Sequence, residues 1–454
     1  MIYLRTGITL RTTLTLTVTT LCSPVFGQED PTRLGTLSFS QGFEYSDNVN
    51  LTDPSASGFT SQTGVDLSFQ SRTRTELLSF SIGGDLVGEF GSDLSDDFDI
   101  ENTNIEGIYT REGANASLRF TGLFSEVELD EDIVAIGDAG SIVIDEGSLE
   151  QLRFGAGVVL GDGGPFELSL NAFYRTLDYQ DTVDDTLTDE DQYSFDALAR
   201  LRLNPATTLR ARAGITITDE DDAVQTERDV SFFGIGAETE TAGGLLVFGD
   251  ILYDRAETTT NIPSDDTDEG LGIEFGLTQA RPNGSVGLNF SSRTDESGRR
   301  NSATVSRSLD MPTGLVSLSV GVVDQEGDDD LQLIGELGYT RELARGTIDA
   351  SLTQDTSSRD GEAFLNTALS VTYSHAINSV SGWDAGLTYS SSEELGGDSD
   401  DSRATATISY TRDLTEEWNM RTGYEYIRDV ESGTDSRTSN TVFFNIQRDI
   451  TFGF

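Results

Sequence analysis

Apolar and polar residues alternate with a period of two along most of the chain. At its end Val442, Phe444, Ile446, Ile450, Phe452 and Phe454 fall on even positions, with Thr441, Asn445, Gln447, Asp449, Thr451 and Gly453 between them. Arg448 and Phe443 break the pattern. Successive side chains of a strand point to opposite faces, so such a segment has one apolar and one polar face. Leu209, Ala211, Ala213, Ile215 and Ile217 repeat it, as do Phe166 to Tyr174, Leu271 to Leu277 and Trp383 to Tyr389. About 22 segments of roughly ten residues can be counted, the length of a tilted strand that crosses a bilayer. They start near 35, 61, 76, 98, 113, 147, 164, 191, 206, 227, 243, 268, 284, 299, 313, 330, 346, 362, 382, 401, 417 and 438. Alternation is weak near 98–110 and 227–239, which puts the count between 18 and 24. The pattern predicts an all-β chain: one transmembrane antiparallel up-and-down β-barrel over 35–454.

The connections are read as alternating strictly between short and long. Short ones carry turn chemistry, as in Arg111-Glu112-Gly113, Asn204-Pro205, Arg281-Pro282-Asn283-Gly284 and Met311-Pro312-Thr313-Gly314. Pro and Gly there supply the backbone angles of tight turns. Counting Asp, Glu and Arg, the long connections sum to about −43 and the short ones to about −1. A soluble array of strands has no reason to place its charge on every second loop. A membrane barrel has one, because its strands run up and down: short turns face the periplasm and long acidic loops face outside. Tyr45, Phe124, Tyr174, Tyr253 and Tyr389 would then lie at the upper ends of strands, and Tyr109, Tyr339, Tyr373, Tyr410 and Phe454 at the lower ends. Two such girdles suit a lipid-embedded wall. The competing reading is a water-soluble antiparallel β-array, such as a solenoid, with aromatics in its core.

Charge narrows the field further. The 454 residues include 79 Asp and Glu against 29 basic residues, a net −50. Phosphate repulsion excludes a nucleic-acid binder that works through a basic face. One Cys and one His exclude a disulfide scaffold, a thiolate metal centre and a His triad within one chain. Residues 1–27 read as a signal peptide, with Arg5 and Arg11, a Thr-rich apolar stretch to Cys22, and Val25-Phe26-Gly27 before a cut at Gln28. Residues 28–34 would form a short N-terminal segment. Thr19 and Leu21 do not fit a lipidation site at Cys22. No segment has the ~18 consecutive apolar residues of a membrane helix.

Candidate chemistry is sparse. His375 falls at the lower end of its strand, and no nearby serine is marked as activated, so no catalytic residue is assigned and no enzyme is expected. Asp324 to Asp330 is acidic but lacks EF-hand spacing. No metal site is assigned and no cofactor is expected, beyond weak collective binding of Ca or Mg by the loops. TonB-dependent transporters share a barrel of this size but carry a plug ahead of it; here strands begin soon after the leader, so no plug is expected. With apolar faces toward lipid, Arg119, Arg153, Arg175, Arg200, Arg202, Arg210, Arg212, Arg403 and Arg421 point inward. So do Asp66, Glu167, Asp196, Asp250, Glu274, Asp384 and Glu425. Arg200, Arg202, Arg210 and Arg212 flank the Asn204–Thr207 turn and would form a lumen-lining basic cluster at the lower mouth, unless they pair with lumen acids and merely pack the interior.

Two resemblances bear on these residues. The closing strand with Ile450, Phe452 and Phe454 resembles the C-terminal assembly signal of bacterial outer-membrane proteins. The run from Phe43 to Leu51, with Tyr45, Asp47, Asn48 and Val49, resembles the opening of the beta-barrel porin 2 family of Gram-negative bacteria. On residues alone, Asp47-Asn48 also reads as an Asx turn that ends a strand. The resemblances imply an integral protein of the cell outer membrane that acts as a porin-like channel for passive passage of solutes. Its partners would be outer-membrane lipid, lipopolysaccharide and the assembly machinery. Some members of the family are associated with exopolysaccharide systems, so an export barrel working with polysaccharide export components is one alternative. A non-conducting surface barrel is another.

The topology has a direct test. A Cys at Asp221 is expected to react with an impermeant thiol reagent on intact cells, and a Cys at Asn204 or Asn283 only after the outer membrane is broken. The opposite pattern would invert the barrel.

Overall fold

The computed structural model describes residues 33–49, 51, 55–91, 97–129, 134–136, 141–143, 147–182, 187–261, 266–328, 330–359, 361–397, 400–432 and 436–453. The proposed leader and Phe454 lie outside them. Twenty-two antiparallel strands form one closed sheet, each paired with its neighbours in chain order. The first strand, Arg33–Ser46, closes the ring by pairing with the last, Arg437–Gly453, in register from Leu34 opposite Gly453 to Ser46 opposite Thr441. Each strand start lies within three residues of the position expected from alternation.

Three features depart from the sequence reading. The strands run 12–17 residues rather than about ten. Their ladders continue past the apolar band, where both faces are wet and alternation is no longer required. The connections do not alternate strictly in length: at the long-loop end Asp295 is followed by a strand start at Gly298, and Arg359 by one at Glu362. The longest connection holds a small hairpin, Val134–Ile136 with Ser141–Val143, whose second strand lies against Gly346–Arg359, Glu362–Asn378 and Ser381–Glu394.

The weak alternation near 98–110 has a local cause. The register shifts between Gly83 and Asp85, and Asn102 opposite this point takes a φ of +51°. The bulge exchanges the two faces, so Phe98 and Ile100 are outward before it, and Ile105 after it. Asparagine tolerates the left-handed conformation that the bulge needs.

Outside the bulge the outer face is apolar. Phe39, Phe59, Phe120, Ile215, Ile251, Leu271, Val305 and Ile408 are all exposed there. Tyr45, Tyr253 and Tyr389 lie exposed toward the long-loop end. Tyr174 packs against Tyr193 across the strand pair, ring centroids 4.9 Å apart and planes tilted by 35°. At the short-turn end Tyr373, His375 and Trp383 form an aromatic cluster on the same outward face, with the Tyr373 hydroxyl 3.2 Å from His375 Nδ1. Arg448, an exception to the alternation, also faces outward there. It pairs with Glu417 at 2.6 Å and stacks on Trp418.

Asp47 and Asn48 clasp the seam. Both carboxylate oxygens of Asp47 accept from Asn440, one from its backbone N–H and one from its side-chain amide, each at 2.8 Å. The Asn48 amide donates to the Thr438 carbonyl at 3.1 Å. Ser46 and Ser439 share a buried hydroxyl contact at 2.7 Å. The element thus ties the first strand to the last instead of forming only a local turn.

Hydrogen bonds to a charged group contribute about 1.5–3 kcal/mol each. Asp47→Ala is therefore expected to lower the temperature at which folded protein converts to the slow-migrating unfolded form in gels. A conversion temperature equal to that of the wild type would remove the clasp from the account of closure.

Candidate functional site in the barrel lumen

The inward face follows from the register. On Leu245–Thr259, Ile251 and Tyr253 are outward and exposed, so Phe248, Asp250, Leu252 and Asp254 point inward. Directly across the neighbouring strands lie Arg210, Gly236, Asp250 and Glu274 in one row.

These residues form a chain of alternating charge over five strands. Arg210 reaches Glu238 at 3.4 Å and Asp250 at 2.6 Å. Arg212 lies 3.7 Å from Asp250 and also pairs with Glu274. Arg293 binds Glu274 at 2.8 Å and Asp254 at 2.9 Å. Glycine makes these long reaches possible. A Cβ at Gly236, between Arg210 and Asp250, would come within 1.7 Å of Asp250 Oδ1, and one at Gly272 within 2.4 Å of Asp254 Oδ2. Side chains therefore lie flat along the wall instead of projecting into the lumen.

Aromatic rings use the same device. Phe232 lies over Gly214, Phe248 over Gly276 and Phe443 over Gly423, each ring on the residue directly opposite its own. An arginine covers each ring: Arg212 and Arg293 over Phe232, Arg210 over Phe248 and Arg421 over Phe443, at 4.9–6.0 Å. Stacking a guanidinium on a ring retains its charge while burying its flat face.

The four arginines singled out in the sequence are placed as follows. Arg200 stands directly opposite Arg210 and pairs with Glu167 at 2.6 Å. Arg210 and Arg212 belong to the charge chain. Arg202 is exposed and makes no ion pair among the described residues. Three of the four thus carry carboxylate partners, and the short-turn mouth holds alternating charge instead of a bare basic patch. Arg293, Glu238 and Asp254 were missed. The inward parity of their strands was the only available signal, and their partners lie one or two strands away. Ile450 and Phe452, the described part of the C-terminal signal, pair with the first strand opposite Leu37 and Gly35.

Another sector of the lumen wall carries a row of hydroxyls. Ser351, Ser370, Thr388 and Thr405 stand opposite one another on consecutive strands. With Glu44, Glu425 and Ser439 they line a cavity of about 610 Å³. A second, of about 540 Å³, is bordered by Asp384, Arg421 and Glu425. His375 faces away from the lumen, on the outward aromatic cluster.

At the long-loop end some acids serve local turns. The Asp222 carboxylate accepts from the Thr226 N–H at 2.8 Å and hydroxyl at 2.7 Å. Burial raises its pKa, but these and neighbouring backbone N–H groups outweigh burial and hold it below the usual range. Asp328 is lowered chiefly by the Gln332 amide, which donates at 2.7 Å.

Closure, an apolar belt between aromatic girdles and a polar lumen make this chain an outer-membrane β-barrel. Its fold is similar to that of solved 22-strand barrels of that membrane. The FrpB iron transporter from Neisseria meningitidis superposes with a TM-score of 0.60 at 10% identity, covering 93% of this chain and 83% of that one. The ferric enterobactin receptor PfeA of Pseudomonas aeruginosa, bound to enterobactin, gives 0.55 at 10%, covering 93% and 82%. The siderophore receptor PirA from the same organism gives 0.52 at 10%, covering 93% and 81%. Identity this low carries the fold alone. No protein-family model and no curated protein matches the chain, so no matching model carries the narrower likeness of the Phe43–Leu51 run.

The charge chain has a testable weight. Asp250 is 3% exposed, so Asp250→Ala leaves Arg210 without its closest partner in a confined site. Removing one member of a buried pair costs about 3–5 kcal/mol. The Arg200–Glu167 pair is more open, and Glu167→Ala is expected to cost about 0–1 kcal/mol. Chemical unfolding of the two variants should separate them in that order; equal stabilities would show that the chain is not cooperative.

Proposed function

We propose that this protein is a channel for passive passage of hydrophilic solutes across the outer membrane. The observation that carries the reading is the lumen wall: paired charges and hydroxyls whose side chains lie against the sheet. Such a surface exchanges hydrogen bonds with water or a polar solute at little desolvation cost. The structural neighbours, named as transporters and receptors, support transport as the broad role. Their iron and siderophore ligands belong to them and are not carried over. The acidic loops would collect cations at the long-loop end and hold Ca or Mg weakly, through their summed charge and without a built site.

Planar-bilayer recording tests this. Folded protein should give ohmic steps, with cations favoured at low salt. Surface charge is screened over ~8 Å at physiological ionic strength, so the preference should fade as salt rises. Arg210→Ala and Arg212→Ala should strengthen it, because each frees a lumen carboxylate. Absence of conductance from folded protein would refute the channel and leave a structural surface barrel. An anion preference at every salt concentration would show that the acidic end does not control permeation and would favour export of an anionic polymer.

A further inference from the structure

We propose that the long-loop end of the lumen is narrowed where the longest connection turns inward and meets the far wall, with Arg403 as its latch. The proposal rests on the channel reading for its consequence, but not for its geometry. Arg403 projects inward from Asp400–Asp413 and is 1% exposed. Its Nε donates to Asp429 Oδ1 at 3.3 Å, and its Nη1 to the Leu129 carbonyl at 2.7 Å. Leu129 is the first residue past Ala116–Glu128, and its N–H donates to the Gly147 carbonyl at 2.8 Å.

These two strands are the fifth and twentieth of the ring, seven strand steps apart through the seam. A round barrel of this strand number and spacing would be roughly 40 Å across. Seven steps would then span most of the diameter, far beyond the reach of one arginine. The connection that leaves the fifth strand is therefore carried inward at Leu129 to meet Arg403, in the direction its small hairpin also takes toward the far strands.

The contact has an apolar seat. Leu149 and Leu177 point inward, and with Leu129 they form a cluster no more than 1% exposed, packed against Tyr179 and Leu187. This apolar cluster stands on the inward face, and its burial favours the narrowed state. The latch is suited to arginine. One face of the fork holds Asp429, which is itself 1% exposed and also takes Arg437 at 3.1 Å, while the other holds a backbone carbonyl. Lysine lacks that fixed fork. Arg403 thus limits the size of solute admitted at this end.

The test uses the full chain with Cys22→Ser and Leu177→Cys, so that one thiol reports on the seat. A charged methanethiosulfonate should react slowly with it when Arg403 is present. Adding Arg403→Ala should speed the reaction about tenfold or more, since it opens a site that a buried charge had closed. Arg403→Lys should be intermediate. In bilayers Arg403→Ala should also admit larger poly(ethylene glycol) molecules than the wild type. Unchanged labelling in Arg403→Ala protein that keeps its folded gel migration would overturn the latch. If Arg403→Ala does not fold, labelling of Arg403→Lys at the rate of the parent overturns it equally. Faster labelling without conductance in any variant would keep the latch and reject the channel.

Discussion

A sheet in lipid cannot leave an edge. Hydrocarbon has no partner for an unpaired N–H or C=O, so every strand must be bonded on both sides and the last must find the first. In this chain that requirement converts a long linear series of strands into a ring. The seam is paired from Leu34 to Ser46 of the first strand, and Asp47, Asn48 and Asn440 fasten its upper end where the ladder leaves the apolar band. A carboxylate suits that place, because it takes the backbone and side-chain donors of one residue together and lies near water.

Closure leaves the chain with an inside. A 22-strand ring is too wide for side chains to fill from one wall, so the interior surface has to be stable while wet. The observed solution is to lay long side chains along the sheet. Glycines at 214, 236, 272, 276 and 423 lower the floor, and phenylalanine rings and carboxylates settle into the gaps. Arginines then cap the rings and bridge the acids. A wall finished this way offers paired charge in one sector and hydroxyls in another, which is the basis for reading the lumen as a pathway. The contact of Arg403 with Leu129 goes against this trend, since there a cluster of buried leucines replaces side chains laid along the sheet. A pathway with a single narrow end can be selective there and permissive elsewhere.

Alternation by itself determined the fold. A period of two repeated in segments at regular spacing specifies strands, their faces and their up-down order, because neighbouring strands in a barrel are neighbours in the chain. Turn residues placed the short connections, and charge separated the two ends. The exceptions to alternation were legible as exceptions only. Phe443 and Phe232 break the pattern because each rests over a glycine on the preceding strand, which no local window reveals. Arg448 breaks it because Glu417 and Trp418 hold it at the outward girdle. The bulge at Asn102 depends on register between two strands.

The site required the tertiary structure for the same reason. Arg200, Arg210 and Arg212 were recognisable as inward and close together, but their pairing depends on acids one to three strands away and on the glycines they pass over. Asp47 and Asn48 could be read only as a turn or a family likeness, because Asn440 is 393 positions distant in the chain. Arg403 and Leu129 are separated by 274 residues in the chain and by seven strand steps around the wall, and nothing periodic links them. Period and composition express what each residue does relative to its neighbours in sequence. Contacts across a closed ring depend on its curvature and shape, which belong to the folded ring as a whole.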